Sequence, residues 1–278
     1  MVTPVTLAQL SDIHFGRDVD LEQVAVLERF IAEARPDAVI LAGDLTQRAR
    51  HGELQRALVF AETLQRSAPV LVIPGNHDVE WWRSPFGLLG RDRRYRKYRM
   101  YFGDDLSPRL ELPGVVIGSA LTSHGLSFAS MTWNPNDLVV KGHLPRSEAE
   151  RLTRYFQSAP PEAVRVVVMH HNVLRGAISR RMGLARWKSA HRRLRRTGAD
   201  LVLCGHDHQE GSGQIDDVVV VATSSGHVKG RIRGHRPAAF NLVTIDETSI
   251  AVQHLRWDAA NRHFVSSDHA RFGRVRTA

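Results

Sequence analysis

Five short segments carry residues suited to chemistry: "QLSDIHFG", "ILAGDLT", "VIPGNHD", "VVMHHN" and "LCGHDH". Each closes an apolar, strand-like run with aspartate, histidine or asparagine. Asp12 and His14 are two residues apart, so on extended chain both side chains point to one side. His206 and His208 repeat that spacing. Asp44 and Asn76 each follow a glycine, which permits a sharp exit from a strand and close backbone approach to a ligand. With His170, these residues make two carboxylates, four imidazoles and one amide oxygen. A single divalent ion cannot use so many donors well. Two ions sharing one carboxylate can, with about four protein ligands each and room for water. A lone segment of this kind is an ordinary turn or a satisfied core histidine. Five in succession, all at strand ends, have no packing explanation.

Such donors meet only if a scaffold brings the strand ends together. Apolar runs at Val5–Leu10, Ala38–Ala42, Val70–Ile73, Val115–Ala120, Val164–Met169, Leu201–Cys204 and Val218–Thr223 read as buried strands. Between several of them lie helical patterns. Leu21–Ala34 places Leu21, Val24, Leu27, Phe30 and Ile31 at helical spacing and stops before Pro36. Glu53–Gln65 is similar. Ser147 and Glu150 read as a capping box for a helix to about Gln157. Arg186–Arg196 shows Trp187, His191 and Leu194 on one face, with Gly198 as its stop. Alternating strands and helices predict an α/β fold, and its ligands collect outside the carboxyl ends of the strands. Val218–Val221, Phe240–Ile245 and Ile250–Leu255 follow one another without a helix, which predicts a second, partly antiparallel sheet. No linker marks a boundary, so one domain over residues 1–278 is expected.

The order Asp-x-His, Gly-Asp, Gly-Asn-His-Asp, His and Gly-His-x-His, running from Asp12 to His208, resembles the calcineurin-like metallophosphoesterase family. The resemblance implies two stacked mixed β-sheets flanked by helices, a four-layer sandwich with a dinuclear metal centre at the strand ends. Carried over residue by residue, Asp12, His14, Asp44 and His208 would hold one ion. Asp44, Asn76, His170 and His206 would hold the other. In the pair His170–His171, the first matches the family's ligand, and His171 is expected to contact substrate or to support a ligand. Mn, Fe and Zn all suit a donor set without thiolate. Such ions would neutralise phosphoryl charge and make water nucleophilic at neutral pH. His77, next to Asn76, would hydrogen-bond the phosphate and protonate the leaving group. Asp78 either orients His77 or caps the turn.

Composition bounds the substrate and the setting. Hydrophobic residues at 42% and charged residues at 24% are near the globular average and predict a packed core. No apolar run approaches the roughly 18 residues that span a bilayer. No basic leader precedes the first strand, and Cys204 is the single cysteine. A soluble, cytoplasmic protein is therefore expected, with a small anionic phosphoester as its partner. Basic residues cluster at 83–99, 175–196 and 229–236, which suits an anionic partner. However, 34 of the 38 basic residues are arginine, a skew that genome composition alone can produce on solvated faces.

A basic, aromatic insert at about 79–103 follows the catalytic loop and places Trp81 and Trp82 as candidate substrate contacts. Arg231 and Arg233, after the last metal segment, are further candidates. "LSDIHFG" resembles the bacterial cyclic-nucleotide phosphodiesterase branch, and a small phosphodiester such as a 3',5'-cyclic nucleotide is the first expectation. A nucleotide-diphosphate sugar lipid at an acidic membrane surface is the second, with peripheral contact to the inner face of the membrane. Nucleic acid ranks third, since no nucleic-acid module is recognisable. A non-enzymatic scaffold is disfavoured because every donor is present. The oligomeric state, a homodimer included, is left open.

Overall fold

The computed structural model describes residues 4–16, 19–84, 86, 88, 90–125, 130, 140–175, 182–222 and 237–274. Strands β1 (Val5–Leu10), β2 (Ala38–Leu41) and β3 (Val70–Val72) run parallel in one six-stranded sheet. A second sheet begins with β4 (Arg109–Leu112), β5 (Val115–Ser119), β6 (Val164–His171) and β7 (Leu201–Gly205). It is completed by β8 (Gly211–Ile215) and β9 (Val218–Ala222). The chain then returns to the first sheet with β10 (Ala239–Ile245), β11 (Ser249–Asp258) and β12 (His263–Gly273). The sheet orders are β12-β11-β10-β1-β2-β3 and β4-β5-β6-β7-β9-β8. Both sheets are mixed: β10 lies antiparallel on β1, whereas β5, β6, β7 and β9 are parallel neighbours.

Strand periodicity explains the layering. On β1, Val5 and Leu7 face the opposite sheet, where they meet Ile117, Val166 and Leu203. Their neighbours Ala8 and Leu10 face the helices α1 (Leu21–Ala34) and α2 (His51–Gln65), through Leu27, Ile31, Phe60 and Leu64. The second sheet mirrors this. Val167, Met169 and Val202 turn outward onto α4 (Arg146–Gln157) and α5 (Trp187–Thr197), while α3 (Arg96–Phe102) belongs to the insert. Each fully buried Leu or Val stabilises this arrangement by roughly 1.5–3 kcal/mol.

α1 ends as its sequence indicates, with Arg35 left-handed before Pro36, and Gly198 closes α5 in the left-handed region. Two expectations need correction, and three strands lay outside them. The last third does not build a sheet of its own. β9 joins the second sheet and β10–β12 extend the first, because β10 pairs with β1 through register Leu7–Val243. Ser147 is not a helix cap: α4 starts at Arg146 behind Pro145, and Glu150 pairs with Arg146 Nε at 2.7 Å instead. Strands β4, β8 and β12 carry no apolar run, since they are largely polar and partly exposed.

A buried polar chain joins the sheets beneath their carboxyl ends. Gln9 Nε2 donates to the carbonyls of Cys204 (2.8 Å) and Val221 (3.2 Å) across the interface. Gln9 Oε1 accepts from Asn241 Nδ2 at 2.9 Å, and His254 Nδ1 lies 2.7 Å from Asn241 Oδ1. Since the Asn241 amide nitrogen is used on Gln9, its oxygen must accept, which fixes the proton on His254 Nδ1.

Candidate active site

The five strand ends meet at one place. β1 delivers Asp12 and His14, β2 delivers Asp44, β3 delivers Asn76, β6 carries His170 one residue before its end, and β7 leads to His206 and His208. Two groups form whose ligand atoms lie within 4.8 Å of one another: Asp12, His14, Asp44 and His208, and Asp44, His170 and His206. Asn76 adds its Oδ1 to the second group, 3.1 Å from His170 Nε2 and 3.0 Å from His206 Nδ1. Asp44 belongs to both.

Each carboxylate is held by one oxygen and presents the other. Asp12 Oδ2 accepts the His206 N–H at 2.9 Å and the Ser11 hydroxyl. Its Oδ1 faces His208 Nε2 at 3.4 Å and His14 Nε2 at 3.9 Å, and has no hydrogen-bond partner among the described residues. Asp44 Oδ1 accepts the His77 N–H at 2.8 Å, leaving Oδ2 at 3.2 Å from His170 Nε2. His170 donates its Nδ1–H to the Ala42 carbonyl at 2.8 Å, which turns Nε2 inward, toward the donor group. His14 Nε2 and His208 Nε2 stand 3.2 Å apart. Two donors bound to one ion at roughly 2.0–2.1 Å are spaced about 3 Å apart. A buried, unpartnered carboxylate oxygen facing imidazole nitrogens at such distances fits a cation. The mixed oxygen and nitrogen donors fit Mn, Fe or Zn.

Backbone geometry is bent to make this fit. Asp12 (φ 56°), His14 (φ 53°), Asp44 (φ 52°), His206 (φ 77°) and His208 (φ 53°) are all left-handed. Each such residue stores on the order of 1–3 kcal/mol, a pattern typical of functional sites. Glycine is required where the segments touch: a Cβ at Gly75 would overlap the Asp44 backbone and carboxylate.

Electrostatics follow from burial and crowding. Burial pushes Asp12 up to about 7. Burial also opposes ionisation of Asp44, but His170 and His77 hold it well below the usual carboxylate range. Burial drives His14 down to about 4 against the pull of Asp44, which leaves the neutral imidazole that binds metals. For His170 burial opposes protonation, and the Asp44 carboxylate overrides it, lifting the group to about 9.

His77 and Asp78 part company. The His77 ring stands edge-on to His14 at 4.8 Å and bonds through Nδ1 to the Gln47 carbonyl at 2.8 Å. Burial lowers its pKa, but Asp44 and that carbonyl outweigh burial and the net shift is upward. Asp78 does not bond to His77. Its carboxylate accepts the N–H groups of Thr46 (2.8 Å), Leu45 (3.2 Å) and Gly75 (2.8 Å) and the Thr46 hydroxyl (2.8 Å). Of the two roles expected for Asp78, turn capping matches these bonds and orienting His77 does not.

His171 is buried, with Nδ1 on the Thr122 hydroxyl (2.9 Å) and Nε2 on the Val140 carbonyl (3.1 Å). It packs on His206 at 4.4 Å and has no nitrogen left for substrate, which corrects the expectation of a substrate contact. Burial lowers its pKa well below the ordinary value. Asp207 is buried and accepts from Gln209. Cys204 is buried with its thiol pushed up to about 12, so it is inert.

A cleft of about 670 Å³ opens beside Asn76 and His77 and is lined by Trp81, Trp82 and the loop carrying Arg48 and Arg50. Trp81 is half-buried and Trp82 is 47% exposed. The insert is locked down beside them. Buried Glu80 pairs with Arg83 Nε (2.8 Å) and Lys97 Nζ (3.0 Å), and Arg94 donates to the carbonyls of Ser84 and His124. Sequence reasoning missed Gln47, Arg48, Arg50 and Lys97 as cleft residues. Their signal was available in "GDLTQRAR", where arginines follow a ligand-bearing strand end directly. Arg231 and Arg233 lie outside the described residues.

The profile of the calcineurin-like phosphoesterase family matches residues 5–210, and the chain belongs to that family. It is 30% identical over 173 residues to the glycerophosphodiester phosphodiesterase GpdQ of Enterobacter lignolyticus (strain SCF1). That alignment covers 56% of this chain and 56% of that protein. Among solved structures, PhoD superposes with a TM-score of 0.69 at 10% identity, covering 98% of this chain and 70% of that one. GAP50 of Plasmodium gives 0.64 at 11% identity, covering 98% and 89%. A Vps29 variant from Entamoeba histolytica gives 0.51 at 12% identity, covering 97% and 99%. These likenesses establish the fold. Among the described residues, no helix is long and apolar enough to cross a membrane.

Proposed function

We propose that this protein is a dinuclear-metal-dependent phosphodiesterase acting on a small phosphodiester, with a 3',5'-cyclic nucleotide as the first candidate. The observation that carries the reading is the convergence of two donor groups that share Asp44, with His77 at their edge. Asp12, His14, Asp44 and His208 would hold one ion, and Asp44, Asn76, His170 and His206 the other. Ions bound there would neutralise phosphoryl charge and lower the pKa of water.

The chain's own residues do the positioning. Backbone N–H groups fix one oxygen of Asp12 and of Asp44, so the other oxygens need not reorganise. The Gln47 carbonyl holds His77 by Nδ1, which leaves Nε2 toward the cleft as the proton donor to the departing oxygen. Asp78 keeps the Asp44 and Asn76 loops in register through Thr46 and Gly75. Likeness to a glycerophosphodiester phosphodiesterase supports a diester over a monoester. A second reading is a nucleotide-diphosphate sugar lipid at an acidic membrane surface. It is favoured by exposed Trp82 and Leu88 in a basic insert. We place the enzyme in the cytoplasm, in keeping with its single cysteine.

The test is a substrate panel with Mn²⁺, Fe²⁺ or Zn²⁺ added to metal-stripped protein. It comprises bis(p-nitrophenyl) phosphate, p-nitrophenyl phosphate, cyclic AMP, a glycerophosphodiester, a nucleotide-diphosphate sugar lipid and single-stranded DNA. Hydrolysis of diesters in preference to the monoester is expected. Inertness toward every diester with all three metals would sink the proposal.

A further inference from the structure

The cleft beside His77 contains two guanidinium groups that no described residue neutralises. Arg48 and Arg50 line it, and both are exposed. Neither forms an ion pair among the described residues. Two neighbouring acids are committed elsewhere. Glu53 Oε2 accepts the backbone N–H groups of Arg48 (2.8 Å) and Arg50 (3.3 Å), not their side chains. Glu80 is buried between Arg83 and Lys97 and is shared by these two cations. Among the described residues, the cleft therefore carries two unpaired cations on the Asp44 loop, and Glu80 offsets only one of the two cations on the insert.

Its position relative to the chemistry is fixed. Arg48 directly follows Gln47, whose carbonyl bonds His77 at 2.8 Å, so the arginine loop and the proposed proton donor are tied together. The volume of about 670 Å³ falls among sites that take whole small organic ligands, roughly 300–1,000 Å³, and far exceeds what a phosphoryl group needs. Trp81 and Trp82 supply an apolar wall at the same opening. A site that needed only to release a small neutral alcohol would gain nothing from two solvated arginines there.

We infer that this cleft is a subsite for a leaving group that carries its own negative charge. Arg48 and Arg50 receive the anion, a carboxylate or a phosphate, and the tryptophans flank the organic body that links it to the scissile diester. Arginine suits either anion, since its planar fork bonds both in bidentate fashion. Leaving alcohols with a cationic group are disfavoured by the same charges. This inference rests on the phosphodiesterase reading and on His77 marking the leaving-group side. Within that reading it favours an acyclic diester over a 3',5'-cyclic nucleotide, whose leaving oxygen stays on the same molecule and brings no second anion.

The experiment uses methyl aryl phosphodiesters of near-equal intrinsic reactivity. One releases 4-nitrophenol, a second releases its 3-carboxylate analogue, and a third releases the 3-phosphonomethyl analogue. The wild-type enzyme is expected to show a kcat/KM about tenfold or more higher for the two anionic leaving groups than for the neutral one. Arg48→Ala/Arg50→Ala should erase that preference, losing far more on the anionic substrates than on the neutral one. Arg48→Lys/Arg50→Lys should restore part of it. A larger effect on one anion assigns the subsite to carboxylate or to phosphate. Equal wild-type kcat/KM on all three, or an equal loss on all three in the alanine variant, would overturn the subsite while leaving the phosphodiesterase reading intact. No hydrolysis of any of them would overturn both.

Discussion

The Asp78 carboxylate accepts the Gly75 N–H at 2.8 Å and leaves the His77 imidazole beside it untouched. With three further bonds to Leu45 and Thr46, it ties the loop after β2 to the loop after β3. Asp78→Ala would strand these buried donors, at about 3 kcal/mol, or roughly 6–12 °C in melting temperature at this size. Scanning calorimetry of the metal-stripped protein checks this. An unchanged melting temperature with depressed turnover would mean that Asp78 acts on His77 after all.

His77→Ala is expected to slow turnover by about 10²–10⁴-fold on substrates with alkoxide leaving groups. The loss should shrink on nitrophenolate esters, which depart without a proton. Metal content should be retained. The check is kcat over a series of leaving groups. A loss independent of leaving-group pKa would assign His77 to phosphate binding alone.

Adjacent histidines should behave differently. His170→Ala removes a donor facing both Asp44 and Asn76, and should lower bound metal below two ions per chain. His171→Gln should keep the metal, because neither of its nitrogens points into the donor groups. Elemental analysis after dialysis against Mn²⁺ decides. Chelation should abolish activity in the wild type, and re-addition of metal should restore it.

Stability should fall in mild acid through His254. Burial lowers its pKa below the ordinary 6.5. Between the folded and unfolded values the unfolded chain binds the extra proton, so stability is full above the unfolded value and is lost as pH drops toward the folded one. The melting temperature should decline as pH falls below the unfolded value. His254→Asn keeps the donor to Asn241 Oδ1 and should flatten that decline. An identical slope in the variant would place the acid sensitivity elsewhere.

The donor set was legible in the sequence because each donor sits at the end of an apolar strand, where direction and burial are both constrained. Asp12, Asp44 and His170 are examples: hydrophobic periodicity places the strand, and the strand places them. Sheet membership was not legible, because nothing local in Phe240–Ile245 specifies that it returns to pair with β1. Polar strands such as β12 depend on a neighbour for their existence and leave no hydrophobic trace. Asp78 was ambiguous for a different reason. Its bonds go to the N–H groups of Leu45 and Thr46, more than thirty positions away, and sequence spacing says nothing about that distance. The arginines of the cleft were hidden by abundance: in a chain with 34 of them, only geometry shows which ones line the cleft beside His77.

The bond from the His206 N–H to Asp12 Oδ2 joins positions 194 residues apart. Each donor group draws on both sheets: Asp12, His14 and Asp44 come from the first, and His170, His206 and His208 from the second. During synthesis neither group can be completed until the ribosome has released the last of these histidines. An ion meeting the nascent chain finds neither group complete. Selection of the metal is thus deferred to the finished fold, where geometry rather than raw affinity governs what is kept.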